Sequence, residues 1–229
     1  MINGPKRTII SRRARPAKEP LSHEQIVQTA YRLLEDEGLP GMTMRKIAKA
    51  LDTGPSSLYV YVKNAQELNA YVMDYALGQL QLPQEHDGPW KTRLFGALEA
   101  YFELLQHRPG LAELAVTTIP AGVNALSLTE YLLSALHEAG IVSRSAAWGA
   151  DLFMFYVSSF LYEKTSEARG TMPMPLIQET YRSADPARFP HIARLQQEIF
   201  SGNIEARERF RWGLEVILQG LLQAKQDNA

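Results

Sequence analysis

The sequence predicts an all-α fold: an N-terminal module of three helices in a helix-turn-helix arrangement, joined to a larger C-terminal helical domain. Three observations carry this. Apolar residues recur at helical spacing through most of the 229 residues. No segment alternates with the period of a strand. Capping residues, glycines and prolines punctuate the chain at helix-length intervals. A composition of 45% hydrophobic and 21% charged residues is that of a chain able to bury a core without disulfides or metals.

Residues 1–20 mix Pro5, Pro16 and Pro20 with basic side chains and have no apolar period, so they read as a flexible basic arm. Ser22 and Gln25 then form a capping box, with Leu21 and Ile26 as a hydrophobic staple. Ile26, Ala30, Leu33 and Leu34 give the first helix one apolar face, and Gly38 stops it. Thr43 caps a second helix that runs to about Leu51, with Met42 and Ile47 as its staple. Asp52, Thr53 and Gly54 make a short turn. Pro55 sits at the first position of a short third helix, Pro55 to about Val62.

Asn64 and Glu67 start a fourth helix, whose face is Leu68, Tyr71, Val72 and Tyr75 and whose end is expected near Leu82. Pro83 to Pro89 reads as a linker. Trp90, Leu94, Leu98, Tyr101 and Leu105 mark the next helix, which ends before Pro109-Gly110. Helices are expected at about 111–118, 124–139 and 144–168. A long loop with at most short structure should follow over 169–190, which holds Pro173, Pro175, Pro186 and Pro190. A last helix or pair should span 191–224, broken near Ser201-Gly202. The expected division is a basic arm over 1–20, a helix-turn-helix domain over 21–66 and a second domain over 67–229.

The net charge of −1 conceals an asymmetry. Through Ala65, eleven basic residues stand against six acidic ones, a net +5. The remainder carries thirteen against nineteen, a net −6. One end suits a polyanion and the other repels it.

Several function classes lack their signatures. With no cysteine, thiolate metal sites and cysteine nucleophiles are excluded. The five histidines, His23, His86, His107, His137 and His191, show no metal-binding spacing. No nucleophile elbow, phosphate-binding loop or dinucleotide fingerprint occurs, so neither enzymatic activity nor a cofactor is expected. The N-terminus lacks a signal peptide, and the longest predominantly apolar run, Leu152 to Tyr162, is too short to span a bilayer. A cytoplasmic protein with no membrane partner is expected.

Two helices joined by a turn of about three residues, the second of them short, form the arrangement that inserts a helix into the DNA major groove. The segments Gly41-Met42-Thr43-Met44-Arg45-Lys46-Ile47-Ala48 and Leu58-Tyr59-Val60-Tyr61-Val62-Lys63-Asn64 closely resemble the TetR (tetracycline-repressor) family. The strong resemblance covers about residues 22–70. Arg188-Phe189-Pro190-His191-Ile192 and Phe210-Arg211-Trp212-Gly213-Leu214 resemble, less closely, members with a tetracycline-repressor type of C-terminal domain. The resemblance implies a regulator, most often a repressor, that binds a (pseudo)palindromic operator in double-stranded DNA as a homodimer and is released by a small-molecule effector. An activator, a regulator without a ligand, and a helical interaction protein with a vestigial helix-turn-helix remain alternatives.

By the same resemblance, Thr43, Tyr59, Tyr61 and Lys63 contact the DNA backbone. The start of the fourth helix at Asn64 offers a phosphate seat. Many relatives carry lysine where this chain has Ala65. From Pro55 to Tyr61 there is no Arg, Lys, Asn or Gln, so bidentate base readout from the third helix is absent. Arg45 is the candidate polar base contact, with a phosphate contact as its alternative. Ser56 and Ser57 can each make single bonds, and Pro55 and Val60 can pack on thymine methyls. In the arm, Arg12, Arg13 and Arg15 are candidates for an adjacent minor groove.

Relatives dimerise through their last two long helices, here about 144–168 and 203–224. The stripe Phe210, Gly213, Leu214, Ile217, Leu218 and Leu221 is the candidate interface, with an intramolecular core face as the alternative. A dimer also follows from the shortness of the reading helix, which spans too few base pairs alone. Relatives bind their effector inside the C-terminal domain. Tyr101, Phe102, His107, Tyr131, Trp148, Phe155 and Tyr156 are candidates to line such a cavity, each with core packing as its alternative.

Overall fold

A computed structural model describes residues 20–108, 110–200 and 206–226. The arm arginines Arg12, Arg13 and Arg15 lie outside the described residues. All regular structure among the described residues is helical. The elements are α1 (His23–Glu37), α2 (Met44–Ala50), α3 (Pro55–Leu58), α4 (Ala65–Leu77), α5 (Trp90–Gln106), α6 (Leu111–Thr117), α7 (Val123–Glu138), α8 (Ser143–Ala168), α9 (Met174–Arg182), α10 (Pro190–Arg194), α11 (Gln196–Phe200) and α12 (Ala206–Gln226).

The N-terminal boundaries follow the local chemistry. Ser22 Oγ accepts the Gln25 N–H at 3.1 Å while Gln25 Oε1 accepts the Ser22 N–H at 3.1 Å, closing the capping box of α1. Gly38 ends α1 in a left-handed conformation (φ 72°) that a side chain would strain. Thr43 Oγ1 accepts the Lys46 N–H at 3.3 Å and starts α2. Asp52 takes the left-handed turn conformation (φ 48°) that Asp tolerates. The helix after it is shorter than expected. Regular α-helix covers only Pro55–Leu58, and a tight turn continues to Tyr61, held by Tyr61 and Val62 N–H bonds to Leu58 O at 2.9 and 3.1 Å.

α4 ends at Leu77 rather than near Leu82. The Asn124 amide takes Asp74 O from outside the helix at 3.1 Å, and Gln79 and Leu80 fall back to i−3 acceptors. Gly78 makes the approach possible, because a Cβ there would meet Asn124 at 2.9 Å. Residues 169–190, expected as a loop with at most short structure, contain the nine-residue α9. Pro173 and Pro175 stand at its start, where a missing N–H costs no hydrogen bond. α9, α10 and α11 contribute no buried residue, and α9 packs against α10 and α11.

The core runs from one end of the described chain to the other. Ile26, Ala30 and Leu34 of α1 meet Ile47, Leu58 and Val62. α4 packs on α1 and also on α7, so it belongs to both ends of the molecule. α8 is the central strut, packed against α5, α6, α7 and α12. Its Phe153 and Val157 are fully buried, as are Leu214 and Leu218 of α12.

Candidate functional site

The folded helix-turn-helix exposes the side chains that folding does not use. Leu58 and Val62 anchor the short third helix in the core, while Tyr59 and Val60 are 53% and 80% exposed. Tyr61 is also exposed. Three large apolar or aromatic groups on consecutive exposed positions are a surface that water disfavours and a binding partner would cover. Pro55 and Ser56 lie on the same exposed segment, and Ser57 is half-buried. Thr43 and Arg45 are exposed at the start of α2. Lys46 is tied to Glu37. The exposed Arg45, Lys49 and Lys63 take part in none of the ion pairs among the described residues.

At the start of α4, Asn64 Oδ1 accepts the Glu67 N–H at 2.8 Å and the Glu67 carboxylate accepts the Lys63 N–H. The N–H groups of Ala65 and Gln66, in the first turn, have no intrahelical acceptor, as in any helix. The Glu67 carboxylate draws on the same positive helix end that a phosphate would use.

Two adjoining cavities open between α6, α7 and α8. The larger, about 430 Å³, lies between the loop Ile119–Gly122, the start of α7 and one side of α8. The smaller, about 280 Å³, reaches Met73 of α4, Tyr101 of α5 and the end of α6. Ile119, Pro120, Asp151 and Met154 line both. The Tyr101 hydroxyl lies 2.9 Å from Ser158 Oγ in the wall, and burial pushes its pKa up to about 12 although Ser158 opposes the shift.

The cavity walls are tied to α4 and to the corner after α1. Asp74 Oδ1 on α4 accepts the Ala125 N–H at 2.8 Å, and Asp74 Oδ2 accepts the Asn124 amide at 3.1 Å. A Cβ on Gly122, in the cavity wall, would lie 2.2 Å from this carboxylate. At the other end of α6, a Cβ on Gly110 would lie 2.8 Å from Leu39 N and 3.0 Å from Gly38 Cα, at the corner that follows α1.

The seven aromatic and histidine candidates do not converge on one cavity. Tyr101 and Phe155 line the smaller one. Phe102 and Tyr156 instead belong to an aromatic cluster with Phe160 and Phe210, with ring centroids of Phe102 and Phe210 4.5 Å apart and Tyr156 stacked on Phe210. The Tyr156 hydroxyl donates to Arg209 O and Phe210 O at 3.2 Å. Tyr131 donates to Pro83 O at 2.8 Å, fastening α7 to the linker. His107 sits exposed at the end of α5, against Glu103. Trp148 is 69% exposed on the outer face of α8. Helical spacing does not distinguish the face of α8 toward the cavities from its outer face. The residues missed by the sequence reading, Asp151, Met154 and the loop Ile119–Gly122, carry no motif that would have marked them.

The proposed α12 stripe faces inward. Phe210, Leu214 and Leu218 are buried against α5 and α8 within one chain. Gly213 is filled by the Tyr156 ring, whose hydroxyl would lie 2.1 Å from a Cβ there. Leu221 packs into the space left by Gly149, and Ile217 is half-buried against the core. The intramolecular alternative accounts for these residues. The outward faces carry a different set: Trp148 and Leu152 of α8, and Trp212 and Val216 of α12, all exposed, while the exposed Phe155 stands at the edge of the smaller cavity.

Among the described residues no helix is long and apolar enough to cross a membrane. The family of bacterial regulatory proteins, tetR family, matches residues 26–71, and the tetracyclin repressor-like C-terminal domain matches residues 82–224. Apo ActR from Streptomyces coelicolor superposes with a TM-score of 0.79 at 30% identity, covering 93% of this chain and 100% of that one. The same protein in complex with actinorhodin gives a TM-score of 0.78 at 30% identity, covering 90% and 99%. The transcriptional repressor DrrR1 of Streptomyces coeruleorubidus is 27% identical over 227 residues, 92% of this chain and 80% of that protein. The class C tetracycline repressor protein of Escherichia coli is 28% identical over 210 residues, 88% and 90%. A helix-turn-helix with an exposed reading segment, joined to a helical domain that the same family matches over most of its length, identifies this chain as a member of the TetR family of transcriptional regulators, which are not enzymes.

Proposed function

We propose that the chain is a cytoplasmic, ligand-responsive repressor that grips a (pseudo)palindromic operator as a homodimer and is released by a small-molecule effector. The observation that carries this reading is the exposed run Tyr59-Val60-Tyr61 beside the exposed cations Arg45, Lys49 and Lys63. The cations position the module on phosphates, and the apolar groups meet sugar and thymine methyl surfaces. Hydrogen-bond readout falls to Arg45, with single bonds from Ser56 and Ser57. Residues 21–66 form the reading unit, with Thr43, Lys63 and the α4 start at Asn64 on the DNA backbone.

The exposed apolar faces of α8 and α12 favour a two-fold dimer through these helices, with Trp148, Leu152, Trp212 and Val216 on the facing surfaces. The cavities between α6, α7 and α8 supply an effector site of ordinary size. Their walls bear on α4 and on the corner after α1, so a ligand that moves those walls moves the reading heads. Such a ligand must bind the DNA-incompetent spacing more tightly than the competent one, because equal affinity shifts nothing.

The test is titration of the purified protein against the DNA upstream of its own gene, with competitor DNA, at several salt concentrations. A specific, salt-sensitive complex that candidate compounds dissociate is expected. Binding no tighter than to competitor sequence would refute the reading.

A further inference from the structure

We infer that the effector cavity is built for a lipophilic organic cation, with Asp151 as its counter-ion. This rests on reading the cavities as the effector site. Together their linings contain apolar side chains, a few hydroxyls and one charged group, the carboxylate of Asp151, which faces both lobes. No Lys, Arg or His lines either cavity. Tyr101, the other ionisable group present, is a phenol and carries no charge near neutral pH, and burial raises its pKa further.

Among the described residues, no ion pair involves Asp151. In the open cavity water solvates its carboxylate, since the residue is exposed. A ligand that fills the space between the Ile119–Gly122 loop and α8 removes that water. A neutral ligand then leaves a carboxylate poorly solvated, and an anion adds repulsion. A cation restores the lost interaction. The second carboxylate near this wall, Asp74, lies behind Gly122, lines neither cavity and has both oxygens hydrogen-bonded by the Ala125 and Asn124 donors, so it does not compete with Asp151 for a cation. Ile119 and Leu126 at the mouth are strongly exposed, leaving apolar surface for the body of the ligand to cover.

The inference is tested with three probes that share one flexible apolar chain and differ only in charge: decylamine, which is protonated at neutral pH, decanol and decanoate. Binding to the full-length protein is followed by calorimetric titration, below micellar concentrations. Decylamine is expected to bind about tenfold more tightly than decanol, and decanoate more weakly than either. Asp151→Asn should remove the advantage of the amine over decanol, weakening the amine and, with no carboxylate left to desolvate, tightening the alcohol, and Asp151→Glu should retain most of that advantage. Equal affinities for amine and alcohol in the native protein, or an amine preference that survives Asp151→Asn, would overturn the assignment while the decanol signal still upholds the cavity as a ligand site. Failure of all three probes to bind would overturn the effector-site reading itself.

Discussion

The carboxylate of Asp74 on α4 accepts the backbone N–H of Ala125 at 2.8 Å, so a side chain of the helix that follows the helix-turn-helix caps the helix that walls the larger cavity. Gly122 faces the same carboxylate with no room for a Cβ. The two positions are coupled sterically as well as through the cap. Asp74→Ala should cost about 1 kcal/mol, the usual worth of a helix cap. Gly122→Ala should destabilise the native protein by displacing the carboxylate, yet cost less in the Asp74→Ala background, where the clash is gone. A double-mutant cycle on thermal or denaturant unfolding measures the difference, and strict additivity would show that the contact carries no coupling. Both variants should also alter how much effector is needed to release operator DNA.

Arg45→Ala should relax specificity at one operator position, by roughly 1–3 kcal/mol, because the reading segment itself has no side chain capable of bidentate base contacts. The measurement is affinity for a panel of single-base operator variants. Uniform weakening across the panel would assign Arg45 to a phosphate.

Removing residues 1–19 should lower operator affinity and flatten its dependence on salt, since Arg12, Arg13 and Arg15 would each release a counterion on binding a phosphate. An unchanged slope of log affinity against log salt would make the segment irrelevant to DNA.

The two stripes of α12 should respond oppositely to substitution. Trp212→Glu, at a 67% exposed position, should yield monomers in sedimentation experiments with helical content preserved. Leu214→Ala, at a fully buried position, should instead destabilise each subunit by about 2–5 kcal/mol through a cavity. Dimers that survive Trp212→Glu together with Trp148→Glu would refute the outer-face interface.

Tyr101 introduces an alkaline limit. Its folded pKa, about 12, lies above the ordinary value of 10, so its contribution to stability is complete below pH 10 and is lost as pH rises from 10 toward 12. Unfolding midpoints across that range should fall less steeply for Tyr101→Phe than for the native protein. Equal slopes would mean that the hydroxyl is not buried in solution.

The helix-turn-helix was legible because its signals are local. Ser22 with Gln25, Thr43, Asp52, Pro55 and Asn64 each act through a bond or dihedral within a few residues, and the structure places the first four helix starts where those signals stand. Where a boundary depends on a distant partner, the local signal misleads. α4 stops at Leu77 because Asn124, far along the chain, packs on Gly78 and takes the Asp74 carbonyl.

The same distinction separates the two readings of α12 and the choice of cavity residues. Periodicity shows that Phe210, Leu214 and Leu218 share a face, but a face has no label saying whether it meets its own chain or another. Their place under α5 and α8 is a property of the packing, as is the exposure of Trp212 and Val216 on the other side. Asp151 looks in sequence like any polar residue on a long helix. Only the approach of α6, α7 and α8 sets it among apolar neighbours at the edge of both cavities. The sequence by itself determined the all-α class, the first four helix starts and the helix-turn-helix module, through short-range capping and turn chemistry. The tertiary structure alone decided which apolar stripe is core, which stays exposed, and which carboxylate faces the cavity, because each depends on contacts between residues far apart in the chain.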